Sequence, residues 1–121
     1  IHTNGNDTCC LVLRGGDKPN FERTIVQKYV QQLIDEMMDT AIIVDASHGN
    51  SGKNWQRQIE VIDYLTKSRH PSVRGIMIES FIRDGSQSIL SKPLEYGVSV
   101  TYSCIGFYNS RLLLLELNKS V

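Results

Sequence analysis

The sequence predicts an α/β fold in which three buried strands alternate with three amphipathic helices. Short apolar, β-branched runs alternate along the chain with longer stretches whose apolar residues recur at helical spacing. Strand, helix, strand, helix in this order is typical of parallel βα units. A closed barrel needs eight such units and about 250 residues. The 121 residues therefore predict three consecutive βα units of an incomplete fold, in a single partial domain over residues 1–121.

The first unit combines a strand over residues 9–14 with a helix over residues 21–38. The strand is apolar and ends at Gly15 and Gly16, and Pro19 and Asn20 open the helix. The apolar positions of the predicted helix are Ile25, Val26, Tyr29, Val30, Leu33 and Met37.

The second and third units follow the same pattern. A strand over residues 41–45 leads through a polar loop, residues 47–52, into a helix over residues 53–68. Its apolar face contains Trp55, Ile59, Ile62 and Leu65, which favours a core position for Trp55. The third strand covers residues 73–79, a long polar loop covers residues 83–93, and the last helix is expected to start after Asn109 and Ser110 and to run toward Leu117.

Composition excludes several classes of protein. The charges of the 13 basic and 13 acidic residues cancel. The chain therefore lacks the surplus of basic residues that would indicate a nucleic-acid partner. No apolar run approaches the roughly 18 residues of a membrane span. Three cysteines, two of them adjacent, do not form a disulfide framework, and we expect buried thiols in the reducing cytoplasm. The chain begins with Ile1, so we expect either processing or a longer parent protein.

Side chains that could bind a ligand or take part in catalysis lie at the ends of the predicted strands. Arg14 ends the first strand, Asp45 ends the second with His48 three positions later, and Glu79 ends the third. Active sites of parallel α/β folds lie at this edge of the sheet. By contrast, His2 lies in a polar segment and His70 in a turn before a proline, and we expect both to be solvated.

Each of these residues also has an ordinary structural interpretation. Arg14 beside two glycines suits bidentate binding of phosphate or carboxylate, and equally a pair with a neighbouring carboxylate. His48 and Glu79 together suit manganese, iron or zinc. Two ligands on different strands are a weak signal, so from the residues alone a hydrogen-bonded loop histidine and a surface glutamate are favoured.

Four motifs, in the same order along the chain, are specific enough to indicate a protein family. The first motif is LVLRGGDKPN at residues 11–20, after Gly5-Asn6, and the second is IVDASHGNS at residues 43–51, followed by Lys53 and Gln58. The third is GIMIES at residues 75–80, followed by Gly85-Ser86-Gln87. The fourth begins at Pro93-Leu94 and continues with YGVSVT at residues 96–101 and Cys104-Ile105-Gly106. Together they resemble the class I, microbial type of 3-deoxy-D-arabino-heptulosonate 7-phosphate (DAHP) synthase. The resemblance covers nearly the whole chain and corresponds to the C-terminal part of the family, the last three βα units of a TIM barrel.

The resemblance implies an enzyme activity and its ligands. Members of this family condense phosphoenolpyruvate with erythrose 4-phosphate and release phosphate, which is the first step of the shikimate pathway to the aromatic amino acids. They use a divalent metal (Mn, Fe, Co or Zn), which polarises the aldehyde of the erythrose substrate. The resemblance assigns Arg14 to the phosphate of phosphoenolpyruvate, His48 to the metal and to catalysis close to phosphoenolpyruvate, and Glu79 to the metal.

Two departures from the family pattern affect what this chain can do. Tyr102 occupies the position of the family's fourth metal ligand, an aspartate, and a protonated phenol is a poor replacement for a carboxylate. The family's upstream metal-binding cysteine and its lysine-proline-arginine-threonine loop have no counterpart here. We therefore expect the chain alone to be inactive, or to be a non-catalytic module that binds a phosphorylated metabolite or a partner chain. A small α/β domain without a site is the third interpretation, and open strand edges predict self-association or a partner chain.

Overall fold

The α/β prediction is confirmed by a computed structural model, which describes residues 1–6 and 8–120. Its elements in chain order are β1 (Leu11–Leu13), α1 (Arg23–Asp35), β2 (Ile42–Asp45), α2 (Trp55–Ser68), β3 (Val73–Met77), β4 (Ser80–Phe81), β5 (Ile105–Gly106) and α3 (Phe107–Ser120). The strand–helix alternation has the predicted order, and most elements are a few residues shorter than the sequence pattern indicates. No helix in the described ranges has the length and apolar character needed to cross a membrane.

The main sheet is parallel and has the order β1–β2–β3. Leu13 pairs with Val44, and Val44 pairs with Ile76 on the other side. A register shift between Ile42 and Ile43 passes over one residue of β3. Because all three strands run in one direction, their carboxyl ends lie at the same edge, where the loops with Arg14, His48 and Glu79 begin.

One core joins the sheet to all three helices. Its buried members are Leu13, Val26, Val30, Leu33, Ile42, Val44, Ala46, Val61, Ile62, Leu65, Ile105 and Leu113. Trp55 and Ile59 pack against this core and are partly buried, in agreement with the predicted face of the second helix. Burial of apolar side chains along one side of each element is the main force that fixes the arrangement.

Helix ends explain two differences from the predicted boundaries. In α2 the Asn54 side chain accepts hydrogen bonds from the amides of Gln56 and Arg57, so the helix begins at Trp55 rather than at Lys53. α1 ends at Asp35, and Met37 adopts a φ of 54° and is 95% exposed. The prediction that Met37 belongs to the apolar face of this helix was therefore wrong.

A second, two-stranded sheet was not predicted. β4 pairs with β5 in parallel, and the two strands lie on either side of the polar loop expected over residues 83–93. α3 continues directly from β5 at Phe107, ahead of the predicted cap at Asn109 and Ser110. Asp84 accepts hydrogen bonds from the Gly106 amide (2.6 Å) and from Asn109 Nδ2 (3.0 Å), which ties this helix start to the end of β4.

The structure corrects two expectations about individual side chains. Cys104 is buried, but Cys9 and Cys10 are exposed because β1 begins only at Leu11. His70 is buried rather than solvated. Its Nδ1 accepts a hydrogen bond from the Ser72 amide (3.2 Å), and its Nε2 lies 3.0 Å from Gln27 Oε1.

Candidate active site

The predicted site residues meet at the carboxyl edge of the main sheet. Arg14 follows β1, Asp45 ends β2, His48 lies in the loop after β2, and Glu79 follows β3. His48 Nε2 is 3.3 Å from Glu79 Oε1, so the two predicted metal ligands lie side by side. Arg14 is more loosely placed, with Nε 4.0 Å from Asp45 Oδ2 and a side chain that is 60% exposed.

Asp45 holds this cluster in place. Its carboxylate is fully buried, and Oδ1 accepts hydrogen bonds from the amide and the hydroxyl of Ser47, both at 2.8 Å. Oδ2 lies 2.6 Å from His48 Nδ1. Burial by itself raises the pKa of Asp45, but the hydrogen bonds from Ser47 and the contact with His48 outweigh it and hold this pKa below its usual value. The ionised carboxylate accepts a hydrogen bond from Nδ1–H of His48 and leaves Nε2 directed at Glu79.

Two glycines and one asparagine lock the Arg14 loop against the His48 loop. Asn50 is buried, and its Nδ2 donates to the carbonyls of Leu13 (3.0 Å) and Asp45 (2.8 Å). A Cβ on Gly15 would stand 2.5 Å from the Gly49 carbonyl carbon, and Gly15 has a φ of +72°. The two backbones can approach this closely only because neither position carries a side chain.

The His48–Glu79 pair supplies two ligand atoms, Nε2 and Oε1, of the kinds that bind a divalent cation. Two ligand atoms bound about 2.1 Å from one zinc ion lie roughly 3 to 3.4 Å apart, so the 3.3 Å separation of Nε2 and Oε1 is compatible with a shared cation. Across residues 1–6 and 8–120, however, no group of three or more His, Cys, Asp or Glu side chains is arranged to hold a metal ion. A cation held by His48 and Glu79 would therefore need ligands other than the His, Cys, Asp and Glu side chains that the structure describes.

Tyr102 lies directly against His48. The two rings meet edge to face, with centroids 4.9 Å apart and an interplanar angle of 73°. Lys53 Nζ is 5.2 Å from the centroid of the Tyr102 ring, a cation–π distance. The position that the resemblance assigns to a metal-binding aspartate is thus filled by an aromatic ring and flanked by a positive charge.

An open cleft of about 810 Å³ extends from Glu79 along β4. Its wall is largely apolar and includes Ile78, Phe81, Leu94, Tyr96 and Val98. Arg14 is not part of this wall. Glu79 therefore borders the cleft, whereas the arginine predicted to bind phosphate stands outside it.

Sequence reasoning brought Arg14, His48 and Glu79 to one edge of the sheet but missed the groups that hold this cluster together. Asp45 was noted only as a strand-end carboxylate, and Asn50 and Gln58 only as parts of motifs. Asp45 three positions before His48 is the one local signal that could have indicated its role. The partners of Asn50 and Gln58 are distant in sequence, and their contacts become visible only in the folded chain.

Comparisons with known proteins match nearly the whole chain. The model of a family described as the DAHP synthetase I family matches residues 2–114. A Trp-sensitive phospho-2-dehydro-3-deoxyheptonate aldolase of Salmonella typhimurium is 36% identical over 98% of this chain and 35% of its own length. The Phe-sensitive enzyme of Escherichia coli K12 is 33% identical over 100% of this chain and 36% of its own length.

The fold comparison gives the same result. A solved structure of the phospho-2-dehydro-3-deoxyheptonate aldolase from Francisella tularensis superimposes with a TM-score of 0.92 and 36% identity. The match covers 98% of this chain and 36% of that structure. The chain thus spans about a third of the length of the relatives that it matches.

Proposed function

Because this chain belongs to the DAHP synthetase I family, we propose that it supplies part of the active site of a synthase that condenses phosphoenolpyruvate with erythrose 4-phosphate. One observation carries the proposal. The side chains of His48 and Glu79 meet at the carboxyl edge of a parallel sheet, 3.3 Å apart, with Arg14 at the same edge. Active sites of parallel α/β folds are built at this edge.

Each residue has a distinct task in this proposal. The exposed guanidinium of Arg14 binds the phosphate of phosphoenolpyruvate, since a guanidinium matches phosphate oxygens with two parallel hydrogen bonds. Asp45 holds His48 in one tautomer, so that Nε2 faces the reaction space beside the carboxylate of Glu79. A divalent cation bound by His48 and Glu79 would supply a Lewis acid for the aldehyde of erythrose 4-phosphate.

We propose further that these 121 residues form one partial domain, correspond to the last three βα units of a TIM barrel, and do not catalyse the reaction alone. Positioning both substrates requires more binding groups than Arg14, His48 and Glu79 provide. The open edges of the main sheet then receive other strands, either from a partner chain or from a second copy. An odd number of cysteines, including an adjacent pair, suits the cytoplasm, where we place the protein.

The test is a titration of the purified chain with phosphoenolpyruvate, followed by heteronuclear NMR. We expect the amides of Arg14, Gly15 and Gly49 to shift saturably, and the shifts to disappear in Arg14→Ala. Arg74→Ala is the matched control because Arg74 is an exposed arginine on β3 of the same sheet. Equal loss of binding in both variants would show that the interaction is only general charge attraction, and the absence of shifts in the unmodified chain would remove the proposal.

A second candidate function is a non-catalytic module that binds a phosphorylated metabolite through Arg14. The Tyr102 ring against His48, with Lys53 beside it, favours this candidate because both groups hinder a third metal ligand at that position. Such a module binds phosphoenolpyruvate but not Mn²⁺. A synthase site retains Mn²⁺ at His48 and Glu79, so Mn²⁺ binding distinguishes the two candidates.

A further inference from the structure

We infer that Gln58 is a positioning residue whose single buried amide sets the place of Glu79 and of the Tyr102 segment relative to His48. The inference rests on the proposed role of Glu79 and extends it to a residue on α2 that touches neither substrate nor metal.

Gln58 is a polar side chain at a core position. It is 0% exposed, although its neighbours Gln56 and Arg57 on the same helix are exposed. Its Oε1 accepts a hydrogen bond from the Glu79 amide (3.1 Å), and its Nε2 donates to the Ser103 carbonyl (3.2 Å). Both ends of the amide are therefore used, and each bond joins α2 to a segment that is distant in sequence.

Those two segments carry the groups that face His48. Glu79 is held on both sides, because its amide donates to Gln58 and its carbonyl accepts from the Ile105 amide (2.9 Å). Ser103 follows Tyr102, whose ring touches His48. The His48 loop leads directly into α2, so Gln58 links the three parts of the site through one rigid helix.

The carboxamide of Gln58 makes both bonds without burying a charge. Leucine has a similar size but would leave the Glu79 amide and the Ser103 carbonyl unpaired, and buried unpaired groups drive local rearrangement. Ionised glutamate keeps an acceptor for the Glu79 amide and loses the donor to Ser103, whereas a protonated carboxyl would keep both bonds. The Gln58→Leu and Gln58→Glu variants therefore separate the two bonds.

The experiment compares the full chain with Gln58→Leu, Gln58→Glu and the surface control Gln56→Leu by NMR, with circular dichroism as the check that each variant is folded. In Gln58→Leu we expect the Glu79 amide, the His48 ring nitrogens and the Tyr102 ring to change shift. In Gln58→Glu, recorded at a pH where the carbon-13 shift of the new carboxyl shows the ionised form, we expect Glu79 to stay near its original shift and residues 102–103 to move. Gln56→Leu leaves all of them in place.

A Mn²⁺ titration of the same samples separates positioning from mere stability. If Glu79 and His48 form a cation site, Gln58→Leu requires about tenfold more Mn²⁺ for the same broadening of their signals, and Gln56→Leu does not. Unchanged His48 and Tyr102 signals in a folded Gln58→Leu would overturn the inference, and should that variant not fold, an unmoved 102–103 segment in Gln58→Glu would do the same. Absence of Mn²⁺ broadening in the unmodified chain counts against the proposed function alone, because the shift comparison still tests Gln58.

Discussion

At the scale of single residues, buried polar side chains determine the site. Asp45 is fully buried yet ionised, because Ser47 and His48 supply hydrogen bonds that offset the loss of water. The carboxylate in turn fixes the ring of His48. A lowered pKa at Asp45 also means that its stabilising effect is present above pH 3.8 and is lost as the pH falls through the lower value of the folded state.

His70 gives a prediction about pH. Burial and the nearby charge of Arg23 lower the pKa of His70 from 6.5, so below that pH the unfolded chain binds a proton that the folded chain binds less readily. We expect the free energy of unfolding to fall between pH 7 and pH 5, and His70→Asn to flatten this fall. The measurement is urea unfolding across the pH range. His2→Asn is the control at an exposed position, and an equal slope in unmodified chain and His70→Asn would contradict the prediction.

Residues at strand ends could be predicted, whereas their partners could not. The strand-end rule brought His48 and Glu79 to one edge because it depends only on strand direction. The role of Gln58 depends on which face of α2 is buried and on which backbone groups lie opposite it. The burial of His70 could not be predicted for the same reason, since its partner Gln27 lies on α1, 43 positions away in the chain.

At the scale of elements, the close approach of two loops aligns the strand ends. Gly15 follows Arg14 and Gly49 follows His48, so contact between the glycines also sets the spacing of the backbone at these two candidate residues. The Asn50 amide donates to the Arg14 carbonyl (3.3 Å) across the same contact. The loops therefore behave as one unit rather than as two independent connections.

Gly49→Ala tests this contact. An added Cβ would lie 2.6 Å from the Gly15 carbonyl carbon and 2.8 Å from the Gly16 nitrogen, so backbone must shift. We expect a loss of about 1–3 kcal/mol in the free energy of unfolding, together with weaker binding of phosphoenolpyruvate. Gly16→Ala is the matched control because its Cβ meets nothing within 4 Å. Equal stability of the two variants in urea unfolding would show that the loops can separate freely.

The sequence pattern predicted the long elements and missed the short ones. Helical periodicity over more than ten residues identified α1 and α2, and apolar runs identified β1, β2 and β3. β4 and β5 have two residues each, which is too short for any alternation to appear. Their pairing depends on the Glu79 carbonyl and the Ile105 amide meeting in space, a contact across 26 positions of the chain.

At the scale of the whole molecule, the main sheet is incompletely covered. Val12 and Met77, on the two outer strands, are 44% and 41% exposed. In the part of the chain that the structure describes, β1 and β3 each pair with one strand only. Open strand edges beside exposed apolar side chains favour association with further strands.

The chain is therefore expected to self-associate in solution. We predict that sedimentation velocity shows species whose average size grows with concentration, and that Val12→Lys reduces this growth because a charge on the edge strand opposes strand pairing. Met37→Lys changes an apolar side chain that is 95% exposed away from the sheet and serves as the control. A single monomeric species at every concentration would contradict the prediction.

We propose that His48 and Glu79 act together as two ligands of one cation site at the edge of the sheet. The most direct measurement is paramagnetic broadening of assigned NMR signals by substoichiometric Mn²⁺, in the unmodified chain and in His48→Ala. We expect the signals of His48, Glu79 and Tyr102 to broaden first, and this localised broadening to disappear in His48→Ala. Broadening that is absent, or that is centred on surface carboxylates such as Asp17 and unchanged in the variant, would contradict the claim.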